Sequence, residues 1–303
     1  MKVIVLLSSY NGEEYIREQL DSLLKQTMLP DKIVIRDDGS KDDTLCILEE
    51  YASSYPFITY YNGRNKGPAR SFFDLIYNCE EADYYALCDQ DDVWFEDKIE
   101  TAVKSLENED NSIPLLYCSK YTLTDGNLNP LNSEVSDLYR FSDYPHSLLY
   151  HTAPGCTFVF NDAARKKIIR YDADNEFCMI HDSIIHKIVA MFGKVILDES
   201  SHMYYRQHGN NQIGMDANVA RVFIGRIERF LSGKMKGYRS KTARSLLNVF
   251  GKEIDEDKKE LLNIVANYMN DKKLKKELLN RDCFRSHTVN DFFFRILVLV
   301  NYI

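Results

Sequence analysis

Between positions 3 and 88 the chain repeats one alternation: a short apolar run, then a segment whose apolar residues recur every three or four positions. Residues 3–7 form the first run, and 13–26 follow with Ile16, Leu20, Leu23 and Leu24 on one helical face. The order continues with strands expected at 33–35, 57–61 and 84–88, and helices at 44–55 and 69–79. Short connections between such elements force right-handed crossovers and a largely parallel sheet, so the expected class is α/β with helices flanking the sheet. Open sheets of this kind gather ligands at the carboxyl ends of their strands.

After position 95 the pattern loosens. A helix is expected to about 106, strands near 115–119 and 156–160, a helix at 183–192, and strands at 195–197 and 202–206. This half reads as α+β and is expected to shape an acceptor site, although 121–151 carries no legible motif. Beyond Gly214 the periodicity is helical, at 221–231, 242–250 and 258–268, and ends in an apolar segment. The expected division is therefore 1–214 and a helical extension, 215–303.

Composition removes several classes. With 303 residues and 45% hydrophobic content the chain can bury a substantial core. Its seven cysteines are odd in number and lack a CxxC spacing, against a disulfide framework or zinc site and in favour of a cytoplasmic setting. MKVIVLLSSY is too short in its apolar run for a leader and is expected to be a strand. No run reaches the roughly 18 apolar residues of a spanning helix, and 292–300 is interrupted by Arg295. Residues 216–303 hold 18 Lys+Arg against 11 Asp+Glu, a net +7, while the rest holds 20 against 35, a net −15. An acidic body does not suit nucleic acid. A basic, apolar-ended tail suits three contacts: the inner face of the plasma membrane, the catalytic body, or a second subunit.

Three polar clusters end three successive strands. Ser8, Ser9, Tyr10 and Asn11 precede Gly12; Asp37 and Asp38 precede Gly39-Ser40; Asp89, Asp91 and Asp92 end YYALCDQDDVW. Ser9 or Asn11 would equally serve as a helix cap, and Asp42 and Asp43 are read as caps. Asp38 can accept a nucleobase N–H or ribose hydroxyls. Clustered carboxylates repel one another unless a cation neutralises them, and hard oxygen ligands at alternate positions suit Mg²⁺ or Mn²⁺ carrying a diphosphate. Trp94 fits either an apolar wall under a sugar or, more simply, the core.

In order and spacing, SSYNGEEYIREQLDSLLKQT, IVIRDDGSKDDT and YYALCDQDDVW with EDKI resemble the family 2 glycosyltransferases of the GT-A fold, over about 2–214. The DQDDVW form resembles rhamnosyltransferase-like members. The resemblance implies a Rossmann-like nucleotide-diphospho-sugar transferase sheet and inverting sugar transfer helped by a divalent ion. The donor would be dTDP-rhamnose or a UDP-sugar, and the acceptor a saccharide or polyprenyl-linked glycan of the cell surface. By position, Ser8, Tyr10 and Asp38 would hold the nucleoside, with Arg70 near the base or diphosphate. Asp89 would lie near the ribose, Asp91 would bind the metal, and Asp92 would stand behind it. Asp182, in IHDSIIHKIVAMFG, would be the base, with His181 orienting it; the alternative is a plain helix cap. His208, in YYRQHGNNQIG, would complete the metal site or touch the diphosphate, while Arg206 fits a structural ion pair. A non-catalytic nucleotide-sugar-binding subunit is the rival reading. A nucleotidyltransferase would need a Gly-rich loop with Arg and Lys after the first strand, which SSYNGEEY lacks.

Overall fold

The computed structural model describes residues 1–131, 143–150, 153–208, 233, 235–281 and 289–303. Eight strands form one mixed sheet in the order β3-β2-β1-β4-β7-β6-β8-β5. The first half alternates as expected: β1 (Val3–Ser9), α1 (Ile16–Leu24), β2 (Lys32–Asp37), α2 (Thr44–Ser54), β3 (Ile58–Asn62), α3 (Pro68–Asn78) and β4 (Tyr84–Asp89). These four strands are parallel. β1 lies between β2 and β4 and is apolar on both faces because helices cover both. Its Ile4 and Leu6 join one core with Phe72 and Phe73, while Val3, Val5 and Leu7 join the other with Leu20 and Ile99.

The second half follows as β5 (Val93–Trp94), α4 (Lys98–Glu107), β6 (Leu115–Thr124), β7 (Val159–Asn161), α5 (Asp162–Ile168), α6 (His181–Phe192) and β8 (Lys194–Arg206). β7 runs antiparallel to both β4 and β6, and β8 runs parallel to β6. The two strands expected at 195–197 and 202–206 are one strand, β8. Its partners step from Ser119↔Asp198 to Lys120↔Ser201, so Glu199 and Ser200 bulge out of the ladder, and their polarity imitates a loop. The strand expected at 156–160 is shorter, because Gly155–Thr157 forms a 3₁₀ turn. α5 is a helix that the sequence reading missed; Asn161 caps it by accepting from Ala164 N at 2.9 Å.

The C-terminal helices are α7 (Tyr238–Phe250), α8 (Glu256–Asn267), α9 (Lys272–Asn280) and α10 (Val289–Leu299). Their Leu246, Phe250, Leu262, Val265, Leu278 and Val298 lie in the same buried cluster as Phe73, Phe160, Ile184 and Ile188. The tail thus packs on the α3, α5 and α6 side of the sheet. The helix expected at 221–231, the boundary near Gly214, and residues 132–142 and 151 of the unread 121–151 stretch lie outside the described residues. Among the described residues no helix is long and apolar enough to cross a membrane.

Candidate functional site

Strand register brings the three polar clusters together. Ser8 on β1 pairs with Arg36 on β2 and with Asp89 on β4, and Ser9 pairs with Asp37. A continuous row of polar groups therefore runs across the carboxyl ends of three adjacent strands. A surface cleft lined by Met1, Asp83, Tyr84 and Asn111 lies at the opposite, amino ends of β1 and β4 and shares nothing with this row.

The turn after β2 is built by Asp37. Its Oδ1 accepts Gly39 N at 3.0 Å and Ser40 N at 2.7 Å, and its Oδ2 accepts the Ser9 hydroxyl at 3.0 Å. Asp38 is 2% exposed and forms a buried ion pair with Arg36, Nη1 to Oδ1 at 2.5 Å. It also accepts Lys66 N at 2.8 Å and Gly67 N at 2.8 Å, which fixes the start of α3 above the row. A carboxylate offers about four acceptor positions. Oδ1 takes two donors, and Oδ2 takes Gly67 N and a longer 3.1 Å arm from Lys66 N. Ser8 Oγ bonds Ser71 Oγ at 2.6 Å beside it. Arg70 stands across the loop, donating from Nε to Ala173 O at 3.0 Å and lying 3.6 Å from Asp174.

Tyr10 is 43% exposed, with its backbone clasped by a residue that sequence reading passed over. Gln90 accepts Tyr10 N at 2.8 Å and donates to Tyr10 O at 3.1 Å. The clasp presses on Gly12, where an added Cβ would meet Gln90 Oε1 at 2.2 Å. A side chain at this position would push the Gln90 amide out of the clasp.

The acidic cluster is divided in two. Asp91 Oδ2 and His208 Nε2, the two ligands expected for a metal, lie 2.8 Å apart at a partly shielded position. Tyr15 packs on the His208 ring at 4.7 Å. A carboxylate oxygen and an imidazole nitrogen that meet at a strand end could both ligate a divalent ion, a mixed donor set that fits Mn²⁺ better than Mg²⁺. Asp92 turns inward instead: it is 1% exposed, accepts Arg206 N at 3.1 Å through Oδ1, and groups with Asp89 and Cys156, their ligand atoms within 4.8 Å. Burial, then Asp91, then Asp182 push the Asp89 carboxyl well above the usual carboxylate range; burial, then Asp91, then Asp89 do the same to Asp92. Burial, Asp92 and Asp89 also raise the Cys156 thiol.

Two cations anchor this loop. Arg206, 2% exposed, donates to Asp91 O at 2.9 Å and Gly126 O at 2.6 Å and pairs with Glu18, so it is structural. Lys98, 0% exposed, donates to the Cys156 carbonyl at 2.5 Å and lies 3.8 Å above the Trp94 ring; burial lowers its pKa to about 8. Trp94 is 3% exposed and belongs to the core.

Asp182 approaches from α6, in the first turn of the helix and 6% exposed. Its Oδ2 accepts Gly155 N at 3.1 Å and its Oδ1 accepts Ser183 N at 2.6 Å. The neighbouring His181 ring stacks on Phe72 at 4.2 Å. The Asp182 charge contributes to the rise at Asp89, so the two carboxylates lie near enough to interact. The Gly155–Thr157 turn ties them: Gly155 N holds Asp182, and Lys98 holds Cys156 O.

The sequence model for glycosyl transferase family 2 matches residues 4–176. The chain is 32% identical over 251 residues to the dTDP-rhamnosyl transferase RfbG of Shigella flexneri, covering 78% of this chain and 82% of that protein. It spans only 56% of an uncharacterized glycosyltransferase of Rickettsia typhi, to which it is 30% identical over 189 residues, 59% of this chain. Among solved structures, S. aureus TarS in complex with UDP superposes with a TM-score of 0.58 at 16% identity, covering 99% of this chain and 80% of that one. At that identity the likeness speaks for the fold alone, and the fold is GT-A.

Proposed function

The chain belongs to glycosyl transferase family 2, as a rhamnosyltransferase-like member, and from that premise we propose an inverting, divalent-ion-dependent sugar transfer from a nucleotide diphosphate. The donor is dTDP-rhamnose or a UDP-sugar, the former supported by the name of the S. flexneri relative and the latter by the UDP bound to TarS. The acceptor is a saccharide or polyprenyl-linked glycan in cell-surface polysaccharide synthesis. The setting is the cytoplasm, in keeping with the free cysteines among the described residues. Catalysis is assigned to 1–214, with 215–303 as a helical extension.

The observation that carries this reading is the Asp91–His208 contact at the strand ends, and Asp182, held by Gly155 N at the start of α6, is taken as the base. Ser8, Tyr10 and Asp38 are assigned to the nucleoside, and Arg70 to the base or diphosphate. Asp89 lies at the ribose, and Asp92 supports the loop from behind. Asp91 and His208 would hold Mg²⁺ or Mn²⁺, which stabilises negative charge on the departing diphosphate. The acceptor hydroxyl oxygen attacks the anomeric carbon from the face opposite the leaving group. Its proton passes to the Asp182 carboxylate as the bond to the nucleoside diphosphate breaks with both electrons.

Thermal shift with Mn²⁺ and each of dTDP-rhamnose, UDP-glucose and UDP-N-acetylglucosamine tests donor choice. A ligand present at a hundred times its Kd stabilises the folded state by about 2.7 kcal/mol. Asp91→Ala should remain folded, lose the Mn²⁺-dependent part of that shift, and transfer no sugar. Wild-type transfer by Asp91→Ala would remove the metal assignment; donor binding with no transfer by the wild type to any glycan offered would favour a non-catalytic binding subunit.

A further inference from the structure

α10 and the residue after it place apolar side chains both in the core and at the surface. Phe294 and Val298 are buried in the shared core, at 6% and 0% exposure. Phe292, Ile296, Leu299 and Val300 point outward at 65%, 39%, 60% and 50%. Their spacing of four, three and one residues places them on one helical face. Elsewhere among the described residues, large exposed apolar side chains are scattered singly, from Met1 to Met179, and scattered ones need no explanation. Four within nine residues do.

The neighbouring helix supplies the charge. α9 carries Lys272, Lys273, Lys275 and Lys276, and Lys275 Nζ reaches the Leu299 carbonyl at 3.3 Å, at the end of the exposed stripe. Among the described residues none of these four lysines is paired with a carboxylate; the nearby Glu277 and Glu260 are engaged by Arg281. Unneutralised cations beside an exposed apolar face complement an anionic, half-apolar surface. A two-fold contact between copies of this chain would set the same lysines against one another.

We propose that this face, Phe292, Ile296, Leu299 and Val300 with the α9 lysines at its edge, docks the protein on an anionic lipid surface. The outward side chains enter the headgroup–acyl boundary while the lysines meet lipid phosphates, and among the described residues no helix is long and apolar enough to cross the bilayer. A protein held there meets a polyprenyl-linked acceptor where such a lipid resides. The docking itself requires neither that acceptor nor the assigned base.

The test is co-sedimentation of the full chain with phosphatidylcholine vesicles, with and without phosphatidylglycerol, at low and high salt. The wild type should sediment only with the anionic vesicles, and high salt should release it. Phe292→Ser with Leu299→Ser should lower the partition coefficient by about tenfold or more, and so should Lys272→Glu with Lys273→Glu and Lys276→Glu. Both variants replace exposed side chains and should keep the wild-type melting temperature and donor-induced shift, so loss of docking is separable from loss of donor binding. Wild-type partition in both variants, or equal sedimentation with neutral vesicles, would overturn the proposal. Light scattering showing a wild-type dimer that Phe292→Ser with Leu299→Ser dissociates would assign the face to a second copy and overturn it as well.

Discussion

Gly155→Ala probes the assigned base without touching any carboxylate. A Cβ at Gly155 would stand 2.5 Å from His181 Nε2 and 3.2 Å from Asp182 Cβ. Restoring an ordinary 3.4 Å contact requires a relative movement of about 0.9 Å. The His181 ring has little room, since it stacks on Phe72, itself 1% exposed. The turn cannot withdraw freely either, because Lys98 grips the Cys156 carbonyl. The movement therefore falls on the first turn of α6 and carries the Asp182 carboxylate with it. A misplacement of about 1 Å at a reacting group costs on the order of a hundredfold in rate, and overpacking costs about 1–3 kcal/mol of stability. The expected result is a kcat near one hundredth of wild type, a melting temperature a few degrees lower, and an unchanged donor-induced thermal shift. Steady-state transfer kinetics with calorimetry would read all three. Wild-type kcat in a folded Gly155→Ala protein would refute the placement of the base, and a matching fall in donor binding would move the turn to the donor side.

Asp182→Asn should keep the donor-induced thermal shift and lose transfer by at least about a hundredfold, measured as product formed per enzyme; unimpaired transfer would reassign the base. Gln90→Ala removes two hydrogen bonds to the Tyr10 backbone and should raise the donor KM with little change in melting temperature; an unchanged KM would make the clasp irrelevant to donor binding. Lys187, 3% exposed on α6, has its pKa lowered to about 7 by burial and then by Arg239. Between that value and its ordinary one, near 10.4, the unfolded chain binds the extra proton, so Lys187 makes stability rise with pH across this window. Urea unfolding at pH 7 and pH 9 should show the wild type gaining roughly 2 kcal/mol relative to Lys187→Met; parallel changes in both proteins would exclude the neutral buried amine.

β1 and β4 were legible because each is an apolar run buried on both faces, and the polar residue that ends it also ends the strand; the edge strand β3 is buried only at Ile58 and was legible from its β-branched and aromatic residues. Periodicity failed where the physical cause was local or diluted. α5 is a seven-residue helix rich in Arg and Lys, α9 is half lysine in its first turns, and the β8 bulge placed two polar residues in the middle of one strand. In the site, the acidic residues announced themselves by mutual proximity in sequence. Gln90, Gly155 and Lys98 did not, because their partners lie 80, 27 and 58 residues away. Arg36 gave a readable signal: a cation inside the apolar run IVIRDD must be paired if buried, and it bonds Asp38 and Asp74. Lys98 had no such flag, because the α-helical stretch around it mixes charge with apolar residues.

The burial of Leu246, Phe250, Leu262 and Val265 against Ile184 and Ile188 bears on how this protein is handled at the bench. A shortened version stopping before α7 would leave greasy surface on α3 and α6 facing water, directly behind the helix that carries Asp182. Such a fragment should be recovered from inclusion bodies, and the intact chain should melt in a single transition. Grafting another enzyme's C-terminal part onto this sheet would then require redesigning the seam, not merely joining two sequences.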